Sequence, residues 1–355
     1  MKIEIRKAET IKPLFEDASK LTFGHLFTDH MFTMRYNPEK GWHAPVIEPY
    51  RPLELDPSAM VLHYGQAIFE GLKAYRAEDG RALLFRPADN FARMNRSAKR
   101  MCIPEFDKEL AMAGLMELLR LEERWIPTAP GTSLYIRPTI IATDPYLGVK
   151  ASSTYLFFII LSPVGPYYAE GFKPVRIYVE DEYVRAVRGG TGFTKAAANY
   201  AISLLAGEVA KEKGYSQVLW LDGVHRRYVE EVGSMNICFK IGGKIVTPAL
   251  NGSILPGITR DSVLRLSADM GYPVEERLVD VEELFAAHEK GTLEEVFGTG
   301  TAAVVSPVGE LRWKERSITV GDGQTGPVAL ALYERLTGIQ YGQLPDPYGW
   351  SVEIR

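Results

Sequence analysis

The sequence predicts a two-domain protein of mixed α+β / α/β class, and three observations lead there. At 355 residues the chain is longer than one hydrophobic core ordinarily serves. Segments with strand and helix patterning alternate through both halves. Between the halves runs "SPVGPYYAEGFKP" (162–174), rich in proline and glycine and unsuited to continuing either kind of element. A small α/β domain is therefore expected over residues 1–164, an interdomain loop over 165–175 and a larger domain over 176–355.

In the first half, "GLKAYR" and "ALLFRP" read as strands joined at Asp79-Gly80, a dipeptide suited to a tight hairpin. Residues 90–99 carry a helical pattern and 107–125 a second, amphipathic one. "SLYIRPTIIATD" and "STYLFFIILSP" follow as strands, rich in aromatic and β-branched residues, around a polar loop that contains Leu147, Gly148 and Val149. The second half opens on the strand "VRIYVED" and passes through "GGTGFTKAAANY" (189–200) into a helix expected over about 196–213. A meander is expected next, with "QVLWL", "RRYVEEV", "NICFKI" and "KIVTP" punctuated by Asp222-Gly223 and Gly242-Gly243. Helices near 259–270 and 281–288 precede the small-residue segment "FGTGTAAVVSPVGEL".

Composition narrows the function classes. With 41 basic against 45 acidic residues, the formal charge of -4 offers no basic field for nucleic acid or an anionic membrane. Cys102 and Cys238 lie far apart in sequence, with neither disulfide-framework nor zinc-ligand spacing, which fits a reducing, cytoplasmic setting. The N-terminus lacks the apolar stretch of a signal peptide, and the apolar run 155–161 is too short to span a bilayer. The six histidines form no HxxxH or HExxH pattern and no Gly-x-Ser-x-Gly elbow is present, so no metal is expected and metal and serine hydrolysis lack support.

Four segments could carry chemistry. Lys195 sits where a helix should begin, with Thr194 as its cap and Ala196, Ala197 and Ala198 leaving room around the lysine stem. A partly desolvated amine loses its proton more readily and can attack a carbonyl to form a Schiff base, whereas a lysine on a plain first turn is a solvated charge. The glycine spacing is near that of a phosphate-binding Walker loop, but Thr194-Lys195-Ala196 lacks the hydroxyl that would hold magnesium. In "EEVGSMNICF", Glu230 and Glu231 are adjacent on a strand, so one is expected to face solvent while the other turns inward toward a cationic partner such as a protonated pyridine nitrogen. In "ILPGITRDSVLRL", Gly257 precedes a helix whose N-terminal amides, with the Thr259 hydroxyl, make a phosphate seat. In "GTGTAA" (298–303), small residues can turn consecutive amides toward an anion. Amine, acid, phosphate seat and anion seat together are what a pyridoxal phosphate enzyme requires.

These stretches, with "FGHLFTDHM", "LHYGQAIFEGLKAYR", "LFRPADNFARMNRSA", "SLYIRPTIIATDPYLGVK", "LSPVGPYY" and "LTGIQYG", give the chain a resemblance over nearly its whole length to the branched-chain amino acid aminotransferases. The resemblance implies the D-amino acid aminotransferase-like fold of pyridoxal phosphate fold type IV: a homodimer whose small α/β sandwich domain is joined to a larger pseudo-barrel domain. It implies pyridoxal 5'-phosphate as cofactor and exchange of amino groups between leucine, isoleucine or valine and 2-oxoglutarate by a ping-pong route.

On matching positions, the resemblance makes Lys195 the Schiff-base lysine and proton carrier, and Glu231 rather than Glu230 the partner of the pyridine nitrogen. Tyr200, one helical turn beyond the lysine, would contact the phenolic oxygen. Arg93, Ile258, Thr259 and Thr301 match phosphate-binding positions, and Leu255, Gly257 and Gly300 match other cofactor-binding positions. Ser234 stands where the animal enzymes have threonine and keeps the hydroxyl. Phe23, Phe69, Tyr135 and Tyr200 would wall the substrate, with Tyr135, Arg137 and Tyr64 forming a polar edge for the distal carboxylate of glutamate. The amides of Thr301 and Ala302 would receive the α-carboxylate, Ala303 is a further substrate position, and Tyr64, Leu147 and Val149 match positions lent by a neighbouring subunit. The redox-sensitive CxxC of the animal enzymes is replaced by Ala303 and Ser306. Other readings remain open: a D-amino acid or aromatic transaminase of the same fold, or a non-catalytic nucleotide-binding protein.

Overall fold

The computed structural model describes residues 1–167 and 172–355, so residues 168–171 of the expected linker lie outside the described residues. The chain divides into two compact units, one of Met1–Ala169, Thr194–Ala198 and Gly338–Arg355, the other of Glu170–Phe193 and Asn199–Thr337.

The first unit is a nine-stranded sheet covered on one face by helices. Its strands run in the order Glu4–Ile5, Gly41–Pro49, His30–Asn37, Tyr155–Val164, Ser133–Ala142, Leu72–Arg76, Ala82–Phe85 and Ser351–Glu353, with Ala67–Phe69 added beside Ser133–Ala142. Helix Pro87–Arg100 begins at a proline and carries Asp89 in its first turn and Lys99 and Arg100 in its last, the charge order that the helix dipole favours. Helix Lys108–Leu121 is capped by Asp107, whose carboxylate accepts the N–H groups of Glu109 and Leu110. Ile68, Leu72, Ala74, Leu134 and Ile136 pack with Phe91, Met94, Leu115 and Leu118 in the core. Because side chains alternate along a strand, Phe69, Lys73, Tyr135 and Arg137 stand on the other face. The chain's last residues belong to this unit, not to a second domain running to the C-terminus, because Ser351–Glu353 pairs antiparallel with Ala82–Phe85.

Thr194–Ala198 also belongs here, and it corrects the expectation of one helix from about 196 to 213. Ala196 bridges Ile68. The Phe69 N–H donates to the Lys195 carbonyl at 3.0 Å, and the Ala197 N–H to the Ala67 carbonyl at 3.0 Å. Strand-like pairing uses the backbone groups that helix propagation needs, overriding the high helix propensity of alanine. Helical structure follows only as two pieces, Ala198–Ala201 and Leu204–Glu212. Lys195 therefore sits on an extended segment pinned to a sheet.

The second unit is a nine-stranded mixed sheet in the order Val229–Val232, Gln217–Leu221, Val175–Glu180, Val304–Trp313, Leu293–Gly300, Asn236–Ile241, Lys244–Pro248 and Val274–Arg277, with Arg316–Thr319 beside Val304–Trp313. The hairpin at Gly242-Gly243 is as expected. The continuous meander is not, since Asn236–Ile241 takes Leu293–Gly300 as its other neighbour, so the segment "FGTG" is a strand and not merely a turn. Leu219, Leu221, Val232, Ile237, Phe239, Val296 and Leu311 build the core. Helices Ile258–Asp269 and Val281–Glu289 complete the elements expected there. Among the described residues no helix is long and apolar enough to cross a membrane.

Candidate active site

In the first unit, the face of the sheet away from its helices gathers Lys195 with the expected substrate residues. The Lys195 ammonium lies over the Phe69 ring, 5.0 Å from its centroid, and the Arg137 guanidinium lies over the same ring at 4.6 Å. Arg137 Nη2 donates to the Tyr135 hydroxyl at 3.1 Å, and Phe23 meets the Tyr135 ring edge-on at 4.7 Å. Arg137 Nε is buried without a hydrogen-bond partner, a donor whose burial is costly until an acceptor arrives. Tyr64 and Leu147 meet one another, the Tyr64 hydroxyl donating to the Leu147 carbonyl, on an exposed edge where Val149 is also exposed.

Helix Pro87–Arg100 supports this group from beneath. Asn90, Arg93 and Ser97 recur at helical spacing along one side. Arg93 grips Glu70 with two parallel bonds, Nε to Oε1 at 2.8 Å and Nη2 to Oε2 at 2.8 Å, and Asn90 Nδ2 adds a third at 2.8 Å. The Lys195 N–H donates to Ser97 Oγ at 3.0 Å. Burial alone would raise the Glu70 carboxyl, but the Arg93 charge and hydrogen bond, with the Lys195 charge and Asn90, bring it below its ordinary value. Glu70, Asn90 and Ser97 were not read as site residues. The signal that could have found them is the polar stripe 90, 93, 97 on a helix whose flanks are apolar.

In the second unit, Glu230 and Glu231 are both buried, at 3% and 4% exposure, which corrects the expectation that one faces solvent. Segment 251–255 runs alongside them and supplies partners to both. Ser253 Oγ donates to Glu230, Asn251 Nδ2 to Glu230 at 3.5 Å, and the Leu255 N–H to Glu231 Oε1 at 2.7 Å. Arg185 Nε, unforeseen from sequence, lies 3.4 Å from Glu231 Oε2 as its counter-charge. Burial pushes Glu230 upward, only partly offset by Ser253, Arg185 and Asn251.

From Leu255 the same segment reaches the expected phosphate seat. Asn236 Nδ2 donates to the Leu255 carbonyl at 2.9 Å, and its Oδ1 would lie 1.9 Å from a Cβ placed on Gly257. Gly257 is the N-cap of the Ile258–Asp269 helix and makes no side-chain cap hydrogen bond, the arrangement a backbone anion seat requires. Thr259, in the first turn, is buried. Asn236 pairs with Thr299, whose hydroxyl is buried and without a hydrogen-bond partner.

The turn 301–303 joins the strands Leu293–Gly300 and Val304–Trp313 and ends at Val304, a β-branched residue held at φ 63°, a strained conformation typical of functional turns. Met235, on the turn that exposes Ser234, packs where a Cβ on Gly300 would stand, 3.0 Å from its Cγ. Ala303 is buried, and Thr301 and Ala302 are half-buried. Tyr200 is half-buried on the short helix Ala198–Ala201; with Lys195 outside that helix, the two are not spaced by a helical turn.

The donor set fits pyridoxal phosphate. Each residue type the group needs is present: in the first unit an amine suited to its aldehyde, and in the second a buried carboxylate suited to its ring nitrogen and a helix N-terminus, with a cradle closed to any Cβ, suited to its phosphate, where the Thr299 hydroxyl is buried without a hydrogen-bond partner.

Comparison with known proteins agrees. Residues 67–311 match the family model for amino-transferase class IV. Branched-chain-amino-acid aminotransferase 2 of Bacillus subtilis is 57% identical over 354 residues, covering 100% of this chain and 97% of its own. The solved Escherichia coli branched-chain amino acid aminotransferase superimposes with a TM-score of 0.74 at 27% identity, over 92% of this chain and 99% of that one. The Thermobaculum terrenum branched-chain amino acid aminotransferase in its PLP form shares the fold, with a TM-score of 0.76 at 24% identity over 92% and 98% of the two chains.

Proposed function

The chain belongs to the class IV amino-transferase family, and we propose that it is a branched-chain amino acid transaminase, passing the amino group between L-leucine, L-isoleucine or L-valine and 2-oxoglutarate. The observation that carries the reading is the Lys195–Phe69–Arg137 group, an amine beside an aromatic wall that ends in a half-buried cation. An aliphatic side chain is accommodated by the wall and a second carboxylate by the cation.

Pyridoxal phosphate supplies a carbonyl that condenses with amines and a ring that accepts electrons from the substrate α-carbon. The chain's own residues do the rest. Lys195 would hold the cofactor through its amine and, when that amine is free, its Nζ would take the proton from the substrate α-carbon. Glu231, fixed by Leu255 and Arg185, keeps the ring nitrogen protonated. Arg93, Ile258, Thr259 and Thr301 would hold the phosphate, Leu255, Gly257, Gly300 and Ser234 would line the cofactor, and Tyr200 would contact its phenolic oxygen. The amides of Thr301 and Ala302 take the α-carboxylate, with Ala303 a further substrate position, and Arg137 with Tyr135 and Tyr64 takes the distal carboxylate of glutamate. Assembly is a cytoplasmic homodimer in which Tyr64, Leu147 and Val149 serve the neighbouring copy.

A substrate panel tests the reading. Transfer to 2-oxoglutarate from L-leucine, L-isoleucine and L-valine should exceed that from D-alanine and L-phenylalanine by at least about tenfold, the discrimination an aliphatic pocket provides. Preference for D-alanine or L-phenylalanine would move the chain to another activity of the same fold. Tight ATP binding with no transfer would make it a nucleotide-binding protein.

A further inference from the structure

We infer that Glu70 is a built-in counter-ion that competes with a bound phosphate monoester for the Arg93 guanidinium, and so sets how tightly this chain holds the phosphate of its cofactor. The inference rests on the reading of Arg93 as a phosphate residue. Glu70 is wholly buried and Arg93 is 4% exposed, so neither charge is screened by water. Glu70 engages Arg93 along its Nε–Nη2 edge, with both bonds at 2.8 Å, and is itself fixed by Asn90 Nδ2 at 2.8 Å and by the Gly71 N–H at 3.3 Å. That edge is the guanidinium fork that phosphate recognition also prefers. A carboxylate seated on it neutralises the cation and repels an arriving dianion. The rigid seat makes this a constant feature of the pair and not a chance rotamer, and the Phe69–Lys195 backbone bond places the same carboxylate next to the lysine segment.

Replacing the charge while keeping the shape isolates the effect. In E70Q the amide oxygen, placed as Oε2, still accepts from Arg93 Nη2 and Asn90, while Arg93 Nε loses its acceptor and the guanidinium its counter-charge. Inorganic phosphate, measured by calorimetry on the cofactor-free chain, should bind E70Q about tenfold or more tightly than wild type, as expected when a like charge is removed within a few ångströms. Pyridoxal phosphate, followed by its visible absorbance, should show the same gain, and phosphate-free pyridoxal none. E70D, which keeps the charge, should stay within a few-fold of wild type. Equal or weaker phosphate binding by E70Q, or the same gain in E70D, would overturn the inference. If E70Q accumulates unfolded, its refolding yield should rise with inorganic phosphate but not with chloride at equal ionic strength, and lack of that rescue would overturn it as well. A wild-type chain that binds no pyridoxal phosphate, with the E70Q gain for inorganic phosphate intact, would overturn the proposed function and uphold the role of Glu70.

Discussion

Glu231 Oε1 accepts the backbone N–H of Leu255 at 2.7 Å, two residues before the glycine that begins the Ile258–Asp269 helix. One short segment thus fixes both an inward carboxylate and a helix N-terminus, so the acid and the phosphate seat are set by the same stretch of backbone.

Glu231→Gln should keep this hydrogen bond through its amide oxygen and lose the charge. The ring nitrogen is then no longer held protonated, and kcat should fall by about 10²-fold or more, the scale of removing one preorganised electrostatic partner. Steady-state kinetics with L-leucine measures it, and a change smaller than about threefold would remove Glu231 from the chemistry.

Gly257→Ala places a methyl group 1.9 Å from Asn236 Oδ1, which must move and release the Leu255 carbonyl. The overpacking should cost about 1–3 kcal/mol. Thermal unfolding with and without cofactor should show a loss that is larger in the loaded protein, because the seat itself is displaced.

Arg137→Met should preserve the contact with Phe69 and remove the half-buried cation. The KM for 2-oxoglutarate should rise by about 10-fold or more, the worth of a charge-assisted pair, while the rate with L-leucine as amino donor changes only a few-fold. Equal losses on both substrates would contradict the role in recognising a second carboxylate.

Glu230 gives a pH signature. Its folded value lies above the ordinary 4.5, so in the window above 4.5 the folded chain holds a proton that the unfolded chain has released. Stability from this group is present in acid and is lost as pH rises through that window. Glu230→Gln should therefore be stabilising at neutral pH, and the gain over wild type should fade below pH 4.5. Urea unfolding at the two pH values checks it.

About half of the strands among the described residues and four of the helices were legible from period and turn residues, because each carries its own local signal, as at Asp107 or Gly242-Gly243, while the pair His30–Asn37 and Gly41–Pro49 was not read. Lys195 was legible as chemistry but not as structure. Its alanine neighbours favour a helix, and only the distant strand Ala67–Phe69, unseen by any local pattern, makes the segment extended. The alternation rule failed at Glu230 and Glu231 for the same reason, since segment 251–255 buries both. Glu70 and Arg185 were missed because an acid or a base becomes a site residue through a partner that is remote in sequence, 23 positions away for Glu70 and 46 for Arg185.

The most direct test is a single half-reaction. The purified protein, loaded with pyridoxal phosphate, is mixed with L-leucine and no acceptor. The visible absorbance of the cofactor should disappear with one equivalent of 4-methyl-2-oxopentanoate released per site, and addition of 2-oxoglutarate should restore it, while Lys195→Ala does neither. Stable absorbance in the presence of L-leucine, with no oxo acid formed by the wild-type chain, would contradict the account.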